Sequence, residues 1–213
     1  INVLVFALIL ERPLVQVRKL KYLNYSIPVL PIDAFFTISS FAACLIHSLW
    51  LYIKPPVISG PTEIDGIDLS YAINQSIDRS RRAGDFFWNL RIYYCSRELC
   101  KRVKVKRFLY PFENKVREKM FILGIRDVSP DTMLAGFQHA SISPGHTNYM
   151  LLKEETPVTP LPDRIFTTGT ITKNWLEIQS NYPLDIFRTG CGLRQQISEN
   201  TIAKKRFGKI DRV

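Results

Sequence analysis

The spacing of apolar positions changes character near residue 103. From Val103 to Tyr110 the chain places Val103, Val105, Phe108, Leu109 and Tyr110 in a strand-like run. The next segment, 113–126, repeats apolar residues at Val116, Met120, Leu123 and Ile125, the 3.6-residue period of a helix. Thr132 to Phe137 reads as a short apolar strand, a Pro- and Gly-containing loop covers 141–162, and Arg164 to Thr168 reads as another strand. A helix over 171–179 and a last strand from Leu184 to Thr189 complete the series. Strands alternating with helices at this spacing predict an α/β fold built on a parallel sheet with right-handed crossovers.

The first hundred residues follow a different grammar. Ile1 to Leu10 is uncharged and suits either a buried strand or the tail of a helix. Ala34 to Ile53 holds no charged residue, so its length qualifies for a membrane span, with Trp50, Tyr52 and Lys54 placed as interfacial anchors. Thr37, Ser39, Ser40, His47 and Ser48 lower its hydrophobicity, which favours a buried or membrane-surface helix over a span. Pro55 and Pro56 end it, and Asp68 is placed to cap a helix running to Arg79–Arg82, where basic side chains complement the dipole. From Asp85 to Cys100, Phe86, Phe87, Leu90, Tyr93 and Tyr94 mark a packed helix.

Composition adds a basic bias. The net charge of +10 favours an anionic partner: lipid headgroups, nucleotide phosphates or nucleic acid. The cations gather at Arg79–Arg82, Lys101–Arg107 and Lys204–Lys209, each of which also suits a solvated face. No aromatic residues interleave these clusters at a recognisable spacing, which argues against nucleic acid. Cys44, Cys95, Cys100 and Cys191 form no CxxC pair and only three histidines occur, so neither a zinc site nor a disulfide framework is expected, and a reducing cytoplasm is. The chain begins at Ile1 and stops at Val213 inside a basic run, so a fragment of a longer protein is expected.

Ligands of open parallel sheets bind beyond the carboxyl ends of the strands. The predicted strands end in Tyr110-Pro111-Phe112-Glu113, Gln138-His139, Thr167-Thr168-Gly169 and Gly190-Cys191-Gly192-Leu193-Arg194. A carboxylate, an imidazole and a guanidinium therefore gather on one edge. Each also has a plainer reading: Glu113 as a first-turn helix acid, His139 as a partner of backbone groups, and Gly190 and Gly192 as a turn. His139 and His146 flank one short loop, which tilts them towards function.

Taken in order, YPFENKVREKM (110–120), LAGFQHASISPGHTNY (134–149), LPDRIFTTG (161–169) and GCGLR (190–194) resemble the core of a bacterial surface carbohydrate biosynthesis family, with a weaker echo at EIDGIDL (63–69). Members of that family resemble glycosyltransferases of the two-domain GT-B type. The resemblance implies a Rossmann-like acceptor-side domain over 61–194, an apolar helical segment over 1–60, and a basic connector over 195–213 leading to an absent donor-binding domain. It implies transfer of a sugar from a nucleotide sugar to a surface glycan or lipid-linked acceptor, at the inner face of the plasma membrane; no DxD-like motif stands near the strand ends, so no metal is expected, nor a cofactor besides the nucleotide-sugar substrate. Within that reading Glu113, where it faces the cleft, is a general base toward an acceptor hydroxyl helped by a burial-raised pKa, and His139 either does the same job or hydrogen-bonds a donor phosphate. Tyr110, Gln138, His146, Asn148, Gly169, Gly192 and Arg194 contact substrate, with Arg194 on phosphate. A membrane-associated scaffold without catalysis is the alternative, and a basic nucleic-acid-binding domain a more distant one.

Overall fold

The computed structural model describes residues 5–7, 29–56, 63–64, 66–143 and 145–190. Gly192, Arg194, Cys191, the 195–213 segment and the Lys204–Lys209 cluster lie outside the described residues. The chain divides into two compact units. One takes Ile1–Lys106 and Lys119–Thr132, and the other takes Arg107–Glu118 and Met133–Val213.

The first unit is mainly helical. Strand β1 (Val5–Ala7) pairs in parallel with β2 (Val29–Pro31), and a short 3-10 turn, Ile32–Phe35, leads into helix α1 (Ile38–Ile53). Thr37 caps α1 by accepting from the Ser40 amide at 3.0 Å, and Pro55 stands just past its end. A two-residue hairpin, β3 (Glu63–Ile64) with β4 (Ile67–Asp68), turns on Gly66 at φ 79°, a left-handed conformation that favours glycine. Asp68 then accepts from the Ser70 amide at 2.8 Å as helix α2 (Ser70–Ala83) begins. Gly84, also left-handed at φ 75°, breaks α2 from α3 (Asp85–Arg102).

Helix α3 is the hub of this unit. It buries Ile92, Tyr94, Cys95 and Leu99, and Cys95 and Leu99 pack with Ile32 and Phe35. Arg91, 8% exposed, pairs with Asp33. The sequence divides this region from the rest at residue 60; in the structure α2 and α3 group instead with the residues before 57, because α1 and α3 are joined directly. The Cys44 thiol donates to the Phe87 carbonyl at 3.4 Å, and the Tyr94 hydroxyl meets His47 Nδ1 at 2.6 Å.

The second unit carries a four-stranded parallel sheet, β5 (Arg107–Pro111), β6 (Met133–Phe137), β7 (Arg164–Thr167) and β8 (Phe187–Thr189), in that spatial order. The predicted α/β class and parallel pairing are therefore observed. Strand order follows sequence order throughout, so these four strands contain no reversal of the kind that opens a ligand crevice in doubly wound sheets. Helix α4 (Val116–Val128) follows β5, and α5 (Thr170–Gln179) links β7 to β8. Leu134, Ile165 and Leu176 are fully buried, and Phe112, Tyr149, Tyr182 and Phe187 form an aromatic chain with ring centroids 5.2–6.3 Å apart. Gly136 lets Phe112 lie on the sheet, since a Cβ there would come within 2.9 Å of the Phe112 Cβ.

Three boundaries differ from the sequence reading for identifiable reasons. β5 starts at Arg107 rather than Val103 because its partner starts at Met133; one residue earlier Thr132 spends its hydroxyl on the Val105 carbonyl at 2.8 Å. α4 starts at Val116 rather than 113 because Asn114 is left-handed at φ 54°. β8 starts at Phe187 rather than Leu184 because the Ile186 amide closes a turn on the Pro183 carbonyl at 3.1 Å. Among the described residues no helix is long and apolar enough to cross a membrane, so Ala34–Ile53 is a 16-residue helix preceded by a turn, not a span.

Candidate functional site

All four strands run the same way, so the segments after them share one edge. The ladder continues past the formal strand ends: the Phe112 amide donates to the Phe137 carbonyl at 2.8 Å, Gln138 to Phe166 at 2.9 Å, and Gly190 to Thr167 at 2.8 Å. Residues one position further on, Glu113 and His139, therefore leave neighbouring strands in register. Their side chains meet, with Glu113 Oε1 3.8 Å from His139 Nε2, and both remain partly exposed.

The other Glu113 oxygen pairs with the Lys115 ammonium. This contact, with smaller help from His139, holds the Glu113 carboxyl below its ordinary range. The sequence reading expects burial to raise it, and that is overturned here: a cation two residues along outweighs the modest desolvation of a partly exposed carboxylate. Glu113 is thus an ionised group, with the His139 ring beside it.

The carboxyl that burial does raise is Glu118, to about 7. Its two oxygens accept from the Glu113 amide at 3.0 and 2.9 Å, with further amide bonds from Asn114 and Lys115. Three successive amides wrapped round one carboxylate form a nest, and the left-handed Asn114 closes it. Glu118 sits in the first turn of α4 and reaches back, as the acid of a capping box does, so it fixes the loop that presents Glu113. Starting α4 at 113 hides this role, because it places Glu118 mid-helix. An acid in the third helical position, counted from Val116, would have been the signal.

The loop after β6 completes one side. Asn148 donates its amide to the Glu113 carbonyl at 2.6 Å, and Asn114 donates back to the Asn148 carbonyl at 2.8 Å. His146 is exposed, with Nδ1 2.9 Å from the Ser143 hydroxyl, and it borders Tyr149, whose hydroxyl donates to the Phe112 carbonyl at 3.2 Å. Glu113, His139 and Asn148 are therefore brought together, with His146 on the same loop.

Two expected contacts are placed differently. Gln138 is fully buried; its carbonyl oxygen accepts from the Thr168 amide at 2.9 Å and hydroxyl at 3.0 Å, and its amide donates to the Ala140 carbonyl. It ties the ends of β6 and β7 together. Tyr110 is 6% exposed and faces the interior, where burial pushes its hydroxyl far above the usual range. Its position in β5 puts it on the inward side, opposite the exposed Leu109 and Pro111. Gly169 precedes α5 with extended backbone, and a Cβ added there would meet nothing within 4 Å, so open space lies before it.

Among the described residues no group of three or more His, Cys, Asp or Glu is arranged to hold a metal ion. A shallow depression of about 490 Å3, lined by Lys153, Thr156, Glu177, Asn181, Tyr182 and Leu184, lies by the C-terminal end of α5 and contains neither Glu113 nor His139. Comparison with known protein families, curated proteins and solved structures finds no match to this chain.

Proposed function

We propose that the second unit is the acceptor-binding half of a glycosyltransferase acting in surface glycan assembly, with its chemistry at the Glu113–His139 pair. The 3.8 Å approach of these side chains at the carboxyl edge of a parallel sheet carries the reading. His139 Nε2 takes the proton of an acceptor hydroxyl as its oxygen bonds to the anomeric carbon of a nucleotide sugar. The bond from that carbon to the nucleotide phosphate breaks, and the nucleotide leaves with the bonding electrons. Glu113, held ionised by Lys115, stabilises the imidazolium that forms, a carboxylate task that needs no proton transfer of its own.

Asn148 and His146 line the acceptor side, Gln138 acts by positioning the β6 and β7 ends, and the open approach to Gly169 admits substrate close to the backbone. Gly192 and Arg194 remain the phosphate-side contacts of the reading, which assigns donor binding to a second domain. The expected partners are a nucleotide sugar, a lipid-linked or glycan acceptor, and an anionic membrane on the cytoplasmic side.

Nucleotide release by the protein, assayed over a panel of nucleotide sugars with membrane-extracted acceptor, tests this. The proposal expects acceptor-dependent release that His139→Ala lowers by about 100-fold or more and Glu113→Gln by less. Release unaffected by both substitutions contradicts the assignment.

A further inference from the structure

Helix α1 is packed inside out. On a helical projection Ser40, Cys44, His47, Ser48 and Leu51 share one face, and Ile38, Leu45, Leu49 and Ile53 share the opposite one, flanked by Phe41 and Ile46. The small, polar face is turned inward at Ser40, 4% exposed, and Cys44, fully buried and bonded to Phe87 of α3, while His47 at its margin is exposed and bonds Tyr94 of α3. Ile38, Leu45, Ile46, Leu49 and Ile53 are 51–90% exposed. A continuous apolar stripe of this kind marks an interaction surface.

The surroundings of the stripe decide what covers it. Trp50 and Tyr52 stand near its C-terminal end, 58% and 50% exposed, beside exposed Lys54. The Arg81 guanidinium lies 5.2 Å from the Tyr52 ring centroid, with exposed Arg79 and Arg82 next to it on α2. Aromatic rings and cations at the margin of an aliphatic stripe match the boundary between acyl chains and anionic headgroups. A net charge of +10 attracts such a surface and repels a second copy of this chain. At 16 residues the helix is about 24 Å long, short of the ~30 Å hydrocarbon core, so it lies in the interface rather than across it.

We propose that the α1 stripe is the surface by which this chain lies on an anionic lipid bilayer, with Ile38, Leu45, Leu49 and Ile53 among the acyl chains and Lys54, Arg79 and Arg82 on the headgroups. The proposal gives the membrane partner of the glycosyltransferase reading a specific surface, yet it stands on the first unit alone, and its test contains no sugar donor.

The test is co-sedimentation of the full chain with phosphatidylcholine vesicles with and without phosphatidylglycerol. Binding is expected only with phosphatidylglycerol, weakening as salt rises, and dropping at least about tenfold in Leu45→Glu/Leu49→Glu with circular dichroism and Tm unchanged. In the otherwise unchanged protein, bromine-labelled lipid should quench tryptophan emission, and Trp50→Phe should remove most of that quenching. Three results overturn the proposal: no binding to anionic vesicles, equal binding by the double variant, or a dimer that the variant dissolves without any vesicle affinity. Should the double variant unfold, absence of Trp50 quenching decides the matter independently.

Discussion

Leu134 and Leu176 in the sheet unit are fully buried, whereas Leu45 and Leu49 in α1 are 51% and 56% exposed. The residue type is the same and both surroundings are rich in apolar neighbours. What differs is the facing surface. The sheet offers Leu134 flanking strands and an aromatic layer, so burial is complete. Helix α3 presents to α1 the Phe87 carbonyl and the Tyr94 hydroxyl, which meet the Cys44 thiol and the His47 ring in hydrogen bonds that leucine could not make. Hydrogen bonds available on the facing helix, as well as hydrophobicity, bear on which face of a helix turns inward.

The largest expected effect separates the two environments directly. Leu134→Ala should cost about 2–5 kcal/mol of unfolding free energy through lost burial and a cavity. Leu45→Ala should cost under about 0.5 kcal/mol. Urea titrations of both variants check this, and equal losses would mean that α1 is buried after all.

Glu118 is a polar group of the sheet unit whose burial is felt through pH. Burial raises the Glu118 carboxyl from its ordinary 4.5 to about 7 in the folded chain, so between those values the native state binds more protons than the unfolded one. The contribution of this group to stability is therefore full below about pH 4.5, declines as pH rises to about 7, and is level above it. The span is at most about 3 kcal/mol. Glu118→Gln should flatten that slope in Tm measured against pH while keeping an acceptor for the amide nest.

The smallest effects concern two glycines. A Cβ at Gly124 would lie 2.4 Å from the Tyr93 carbonyl oxygen and 2.0 Å from Ser96 Oγ, so Gly124→Ala should cost about 1–3 kcal/mol. Gly169→Ala, with nothing within 4 Å, should change stability by under about 0.5 kcal/mol. Calorimetry of the pair reads the difference.

Periodicity made the sheet legible. Every strand and helix predicted after Val103 exists, and starts shifted where a partner strand or a loop conformation intervened, as at Arg107 and Asn114. The gathering of Glu113 and His139 followed from strand ends in a parallel sheet, an inference that needs only topology. The protonation pattern did not follow. Whether Glu113 is raised or lowered depends on where the Lys115 ammonium turns, and whether Glu118 is buried depends on a three-residue loop. Nor did the burial of Gln138, since an amide at a strand end reads the same whether it faces solvent or the neighbouring strand. The inverted face of α1 was invisible for a related reason: its pattern is amphipathic, and only the packing on α3 shows which side is in.

The central claim is that His139 accepts a proton at the carboxyl edge of this sheet. The most direct test is the sugar-transfer rate of the protein with His139→Gln, read beside the Tm of the same variant. A fall of about 100-fold or more at unchanged Tm is the predicted result. Transfer within about twofold of the unsubstituted protein at equal Tm, well inside the range a positioned base commands, would contradict it.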